Sequence, residues 1–237
     1  MKVVGIPARY GSSRFPGKLL HPLGGKPVIR WVVEAALSSS ADRVILVTDD
    51  VRIREAVSDL CEVRMTPTDL PSGTDRLAYA LRDLPSDTLV MNLQGDEPFV
   101  KSEVIDALFS FAGGGDAHIY TLAHPSDEGD NPNRVKVVLD DSGFALYFSR
   151  SPIPYGTGEY LIHVGIYVYT LENLLRFSKL EPSPLERMER LEQLRALYHG
   201  WRIKVMVSDY EGFGIDTPED LQKAETLLFG SSRTDRS

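Results

Sequence analysis

Up to residue 112, short apolar runs and amphipathic segments alternate along the chain, and that alternation restricts the folds open to it. Runs at 2–6, 43–48 and 88–93 have the length and apolar content of buried strands, and 62–66 reads as a further strand between two helices. Residues 27–38, 52–60, 74–84 and 102–111 carry apolar side chains at helical spacing, and Pro27 suits a first helical turn. Strand and helix in turn predict an α/β, doubly wound unit on a mainly parallel sheet. Ligands of such sheets lie beyond the carboxyl ends of the strands. Arg9, Thr48-Asp49-Asp50 and Gln94-Gly95-Asp96 are expected to gather there.

After residue 116 the pattern changes. Residues 135–139 and 145–150 flank Asp140-Asp141-Ser142-Gly143, a good hairpin turn. Residues 160–169 alternate, with Tyr160, Ile162, Val164, Ile166 and Val168 on one face and His163, Gly165, Tyr167 and Tyr169 on the other. Leu185, Met188, Leu191, Leu194 and Leu197 form a helical stripe that ends at Gly200. Residues 135–200 thus read as a β-rich extension on the sheet and a dimer surface. A strand at 203–208 and a terminal helix complete a single domain over 1–230, and the polar tail 231–237 reads as disordered.

A chain of 237 residues can bury a full core in one large domain. Its net charge of -8 argues against general nucleic-acid binding, which needs a basic surface. Cys61 is the single cysteine, which excludes an intrachain disulfide and a cysteine-based zinc site. No apolar run approaches the length of a membrane span, and Met1-Lys2 leads straight into a strand without a signal peptide. The expectation is a cytoplasmic protein with no membrane insertion.

Chemistry enters with the first strand. It empties into Pro7-Ala8-Arg9-Tyr10-Gly11-Ser12-Ser13-Arg14-Phe15-Pro16-Gly17-Lys18. Glycines let backbone amides approach an anion, and Arg9, Arg14 and Lys18 add charge, so the loop suits phosphates. It is not a P-loop, because five residues separate Gly11 from Gly17 and Leu19 follows Lys18. A surface loop with solvated cations is the alternative. Asp96, after an apolar strand, reads either as a turn aspartate or as a hard oxygen ligand for Mg²⁺ beside a triphosphate. Thr217, Pro218 and Asp220 supply N-cap, first turn and capping box for the last helix, which frees Asp216 unless Asp216 itself caps.

Other candidates stay open on sequence alone. Ser72-Gly73-Thr74-Asp75-Arg76 reads as a helix start that also offers donors to a base or phosphate. His163 is a structural strand histidine or, with Gly165 and Tyr167, part of a wet sugar pocket. Glu192 and Gln193 lie off the leucine stripe and read as solvated, and Arg150 reads as a surface charge.

Together these segments resemble the 3-deoxy-manno-octulosonate (Kdo) cytidylyltransferase family. The likeness runs through Ile6-Pro7-Ala8-Arg9-Tyr10, Ser13-Arg14, Pro16-Gly17-Lys18, Thr48-Asp49-Asp50, Ser72-Gly73-Thr74-Asp75-Arg76 and Gln94-Gly95-Asp96-Glu97-Pro98. It continues through Asn131-Pro132-Asn133-Arg134-Val135-Lys136, Ala145-Leu146-Tyr147-Phe148-Ser149-Arg150 and His163-Val164-Gly165-Ile166-Tyr167. Leu191-Glu192-Gln193-Leu194-Arg195 and Asp216-Thr217-Pro218-Glu219-Asp220 complete it in the family's order.

The resemblance implies a nucleotide-diphospho-sugar transferase type of fold, a homodimer, and attack of the anomeric hydroxyl of Kdo on the α-phosphorus of CTP. CMP-Kdo for lipopolysaccharide biosynthesis and pyrophosphate would result. By the same likeness Ala8, Arg9, Arg14 and Lys18 meet the nucleotide's phosphates, Ser72 and Arg76 the cytidine, and Asp96 and Asp216 hold Mg²⁺. Gln94, Arg150, His163, Tyr167, Glu192 and Gln193 would line the sugar pocket. Two places depart from the family. Ile162 stands where a basic residue usually precedes the pocket histidine, and the connection 154–158 is short and lacks arginine. Both lie on the sugar side. The alternatives are another acidic sugar, such as 8-amino-Kdo or a sialic acid, and a nucleotide-sugar glycosyltransferase. The last usually needs Asp-x-Asp, which Asp96-Glu97-Pro98 does not supply.

Overall fold

The computed structural model describes residues 1–12, 14–156 and 158–230. Ser13, Thr157 and the tail 231–237, expected to be disordered, lie outside the described residues.

Strand β1 (Lys2–Ala8) enters a loop closed by a small hairpin, β2 (Pro22–Leu23) and β3 (Lys26–Pro27). Helix α1 (Val28–Leu37) starts one residue after Pro27, which stays extended at ψ 143° instead of opening the helix. Then follow β4 (Arg43–Thr48), α2 (Val51–Val57), β5 (Glu62–Met65), α3 (Gly73–Leu81), β6 (Leu89–Asn92) and α4 (Ser102–Ala112). These elements follow the alternation of the sequence, with helix ends one to three residues from the expected positions.

The second half holds β7 (Ile119–Ser126), β8 (Lys136–Leu139), β9 (Ala145–Ser149) and β10 (Tyr160–Thr170). It continues with α5 (Leu171–Phe177), α6 (Pro184–Glu189), α7 (Gln193–Tyr198), β11 (Ile203–Val207) and α8 (Pro218–Gly230). The leucine stripe therefore does not make one helix. It breaks at Arg190, which turns left-handed at φ 55°, and leaves Met188 79% exposed while Leu191 and Leu194 are buried. Strand β7 and helix α5 are not marked in the sequence reading, since β7 carries His124, Pro125 and Ser126 at its end.

The main sheet runs β11-β7-β10-β6-β1-β4-β5. Strands β1, β4, β5 and β6 are parallel, and β10 alone among these seven opposes both of its neighbours. Residues 135–200 are accordingly not one unit apart from the sheet. Strand β10 lies inside it, while the β8–β9 hairpin branches off β10. Among the described residues no helix is long and apolar enough to cross a membrane.

Alternating side chains give the sheet two apolar faces. Val4, Ile6 and Ala8 join Ile29, Val33, Leu108 and Phe109 on one side. Val3, Ile45, Val47 and Val90 join Leu77, Leu81 and Leu174 on the other. Gly5 allows α3 to lie close to β1, because a Cβ there would come within 2.5 Å of Leu77 Cδ2. The chain steps from β1 to β4 and β5, then returns through α3 to β6 on the far flank of β1. That reversal opens a crevice beyond the carboxyl ends of β1 and β6. Gly5→Val should overpack this contact and lower unfolding free energy by roughly 1–3 kcal/mol. A denaturant midpoint unchanged from that of the natural chain would show that α3 stands off from β1.

Candidate functional site

A cavity of about 590 Å³ occupies the crevice. Its floor is the end of β1 and the segment after β6, from Pro7 and Ala8 to Gln94, Gly95 and Asp96. Leu70, Pro71 and Ser72 form one wall ahead of α3, and Arg190, Glu192 and Asp216 close the cavity from later in the chain.

The loop after β1 is shaped to aim Lys18 inward. Gly17 takes a left-handed conformation at φ 71°, and its N–H donates to Tyr10 O at 3.0 Å. Leu19 is buried and anchors the turn. The Lys18 ammonium donates to Asp96 Oδ2, and to Asp216 Oδ1 at 2.9 Å, joining residues 78 and 198 positions away. Arg14 lies 3.0 Å from the second Asp216 oxygen. Burial would lower the Lys18 pKa, but the two carboxylates outweigh it and hold it above its ordinary value. Burial pushes Asp216 up, and Lys18 and Arg14 more than reverse that shift.

Asp216 is delivered by two devices. Asp220 accepts from the N–H groups of Asp216 and Thr217 at 3.2 and 3.1 Å, and Asp220 N donates to Thr217 Oγ1 at 3.2 Å. The capping of α8 is thus carried by Thr217 and Asp220, and the Asp216 carboxylate is turned to Lys18. Farther back, partly buried Glu97 accepts from Phe213 N at 3.0 Å and Tyr210 OH at 3.2 Å, while Ile215 N donates to Asp96 O at 2.9 Å. This clamp holds the segment before α8 against the turn that carries Asp96. Burial, and then the neighbouring Asp96 charge, push the Glu97 carboxyl up to about 7.

Around this centre the other expected residues divide. Ala8, Arg9, Ser72, Arg76, Gln94 and Glu192 line the same cavity. The Ser72 hydroxyl caps α3 by accepting from Asp75 N at 3.1 Å. Arg76 is 4% exposed, and its guanidinium is bound to Asp49 at 3.0 Å, to Thr66 and to Pro67 O. Asp50 instead caps α2, accepting from Arg52 N.

His163, Tyr167 and Gln193 line an adjoining cavity of about 250 Å³ with Glu97 and Arg134. Glu192 and Gln193 are not solvated. Gln193 is buried, and Glu192 accepts from Thr74 Oγ1 at 2.6 Å, because the helix break turns both residues toward the sheet. Arg150 stays outside both cavities, on an open groove, with its guanidinium on the carbonyls of Glu189, Pro132 and Arg190. It is therefore not a free surface charge, and it lies apart from the residues that line the two cavities. Leu70, Pro71 and Arg190 border the main cavity and are unmarked in the sequence.

For a divalent cation, Asp96 and Asp216 supply hard oxygen ligands that already converge on one positive centre. Among the described residues no group of three His, Cys, Asp or Glu gathers to hold a metal by itself.

A cytidylyltransferase family model matches residues 3–204. A 3-deoxy-manno-octulosonate cytidylyltransferase of Anaeromyxobacter dehalogenans is 49% identical over 232 residues, covering 94% of this chain and 96% of its own. One of Syntrophobacter fumaroxidans is 49% identical over 244 residues, covering 96% and 97%. A solved CMP:2-keto-3-deoxy-manno-octonic acid synthetase complexed with CTP superposes with TM-score 0.92 at 40% identity, covering 97% of this chain and 99% of that one. A Methanothermobacter nucleotidyl transferase shares the fold at TM-score 0.68 and 19% identity.

The setting of His163 makes a prediction of its own. Burial lowers its pKa to about 3, and its Nε2 lies 3.0 Å from Thr121 Oγ1. The folded chain thus keeps a neutral imidazole where the unfolded chain binds a proton below about 6.5. This stability is intact above that pH and is lost as pH falls toward 3, at roughly 1.4 kcal/mol per unit. His163→Gln should flatten the fall of denaturant midpoint between pH 6 and 4. An equally steep fall in the variant would place the acid sensitivity elsewhere.

Proposed function

The chain belongs to the 3-deoxy-manno-octulosonate cytidylyltransferase family, and from that premise we propose how its own residues perform the reaction. It transfers CMP from CTP to the anomeric hydroxyl of Kdo, giving CMP-Kdo, for lipopolysaccharide biosynthesis, and pyrophosphate. The observation that carries the assignment of residues is the convergence of Lys18, Asp96 and Asp216 inside the 590 Å³ cavity. The full-length likeness to a CTP-bound synthetase supports the nucleotide.

The triphosphate enters on the loop after β1. Its oxygens draw Lys18 and Arg14 away from the carboxylates, and Arg9 adds a third cation at the cavity wall. Leu70 and Pro71 offer the apolar wall for the cytosine, with Ser72 and Arg76 behind it. Asp96 and Asp216, released from Lys18, would hold Mg²⁺, and the chemistry it would supply there is neutralisation of phosphate charge and a lower pKa for the attacking hydroxyl. Gln94 and Glu192 border the acceptor's place in the main cavity, and His163, Tyr167 and Gln193 extend it into the smaller one.

The acceptor oxygen bonds to the α-phosphorus as the bond from that phosphorus to the β-phosphate oxygen breaks, and one proton is released. The work of the protein is positioning and charge neutralisation. Thr74 fixes Glu192 and Thr121 fixes His163, so the acceptor meets a preset wall.

The chain acts as a homodimer in this reading. Leu146 on β9 is 61% exposed and Met188 at the end of α6 is 79% exposed, an apolar surface that a second copy would cover. Leu146→Glu should shift sedimentation toward the monomer, and a natural chain that sediments as a monomer would end this part of the proposal.

The chemistry is tested by pyrophosphate release across nucleotides and acidic sugars. CTP with Kdo should stand above CTP with 8-amino-Kdo or a sialic acid. Asp96→Asn and Asp216→Asn should each lower kcat by about two orders of magnitude at saturating Mg²⁺, and Lys18→Ala should chiefly raise KM for CTP. Natural rates in both carboxamide variants would remove the metal site from the mechanism.

A further inference from the structure

The turn between α6 and α7 is formed by a residue poorly suited to it. Arg190 sits at φ 55°, where glycine or asparagine would close a helix with less strain. The turn is held by its neighbours. Ser149 Oγ and Arg150 N donate to the Glu189 carboxylate at 2.7 and 3.0 Å, and Arg150 Nε donates to Glu189 O at 2.9 Å. Nothing in these bonds requires an arginine side chain at 190.

That side chain is exposed, and it borders both the 590 Å³ cavity and the open groove beside it. The other cations near it are occupied. Lys18 and Arg14 meet Asp96 and Asp216, Arg76 meets Asp49, and Arg134 pairs with Glu128 at 3.0 Å. Arg150 has three of its five donors on backbone carbonyls, and Lys223 on the groove lies 3.9 Å from Asp220. Among the described cations that line the cavity or the groove, the side chains of Arg9 and Arg190 have no such partner. Arg9 rises from β1 with the phosphate loop, whereas Arg190 lies on the turn that delivers Glu192 and Gln193.

We propose that Arg190 binds the carboxylate of the acceptor sugar acid and thereby sets specificity, while Arg150 positions the turn. The proposal rests on the reading that Kdo is the acceptor. A carboxylate accepts two parallel bonds from a guanidinium fork, and Arg190 has that fork free. The triphosphate has its own cations across the cavity, so Arg190 is left for the second anionic substrate.

The test compares the natural chain, Arg190→Gly and Arg190→Lys by pyrophosphate release with Kdo and with the carboxamide of Kdo. Glycine accepts φ 55°, so Arg190→Gly removes the fork without disturbing the turn. It should raise KM for Kdo by roughly tenfold or more, with KM for CTP and kcat within about twofold. The lysine variant should recover part of the loss. The natural chain should favour Kdo over its carboxamide, and Arg190→Gly should lose most of that preference, which a purely structural role would not move. An unchanged KM for Kdo or an undiminished preference overturns the proposal. A parallel rise in KM for CTP assigns Arg190 to the triphosphate and overturns it too. If the natural chain releases no pyrophosphate with Kdo, the acceptor reading fails first and takes this proposal with it.

Discussion

The ion cluster of Lys18 with Asp96 and Asp216 is the constraint on which the arrangement of the cavity depends. Two carboxylates brought to one place repel each other, and partial burial raises the cost of leaving them unpaired. One ammonium satisfies both and so joins three loops separated by 78 and 198 positions. In the proposed reaction this cluster reorganises when a more highly charged anion arrives. A lysine shared by two carboxylates can exchange them for phosphate oxygens, which would free the carboxylates for a divalent cation. On that proposal the same contacts serve stability before substrate arrives and chemistry afterwards.

Such a cluster needs rigid supports, because a shift of about 1 Å at a reacting group costs rate heavily. The supports come from ordinary secondary structure. Leu19 plugs into the core, Thr217 and Asp220 cap α8, and Glu97 ties Tyr210 and Phe213 to the turn behind Asp96. The cap is local while the Glu97 bonds span 113 and 116 positions, and each support fixes the direction of a charge that acts elsewhere. Partly buried Glu97 makes the point most clearly. Its high pKa marks a carboxyl placed for its hydrogen bonds, against the cost of burial and of the Asp96 charge beside it.

How much of this was legible in the sequence follows from the range of the interactions. Strands β1, β4 and β6 could be read because each is an apolar run ended by a turn, β5 from its place between two helices, and the parallel sheet follows from the alternation. Asp216 could be picked out because Thr217, Pro218 and Asp220 form a capping pattern within five residues. The pairing of Lys18 with Asp96 could not, since no local period connects residues 78 apart. Strand β7 escaped because its polar end hides its period. The leucine stripe misled for the opposite reason. Its spacing continues from Leu185 to Leu197 while the backbone turns left-handed at Arg190, a conformation usually signalled by glycine or asparagine. Glu192 and Gln193 then face inward, and Arg150 braces the turn through the carbonyls of Glu189 and Arg190.

The acceptor side shows what that misread turn does. Ile162 is 2% exposed and brings no charge to the smaller cavity. His163 beside it is neutral in its partly buried setting, and Arg150 has three of its five donors committed to backbone carbonyls. A sugar acid still needs a cation to balance its carboxylate in a partly desolvated site. On the wall that carries Glu192, the remaining guanidinium is that of Arg190, held in place by the break in the helix. A continuous helix would give the stripe one straight apolar face, with its charges set by helical spacing. The break instead lets adjacent residues serve different ends, with Leu191 in the core, Arg190 and Glu192 at the main cavity and Gln193 at the smaller one. The cost is one residue in a disfavoured conformation, about 1–3 kcal/mol, and the gain is a cavity wall with both a carboxylate and a cation, which the proposal assigns to the acceptor.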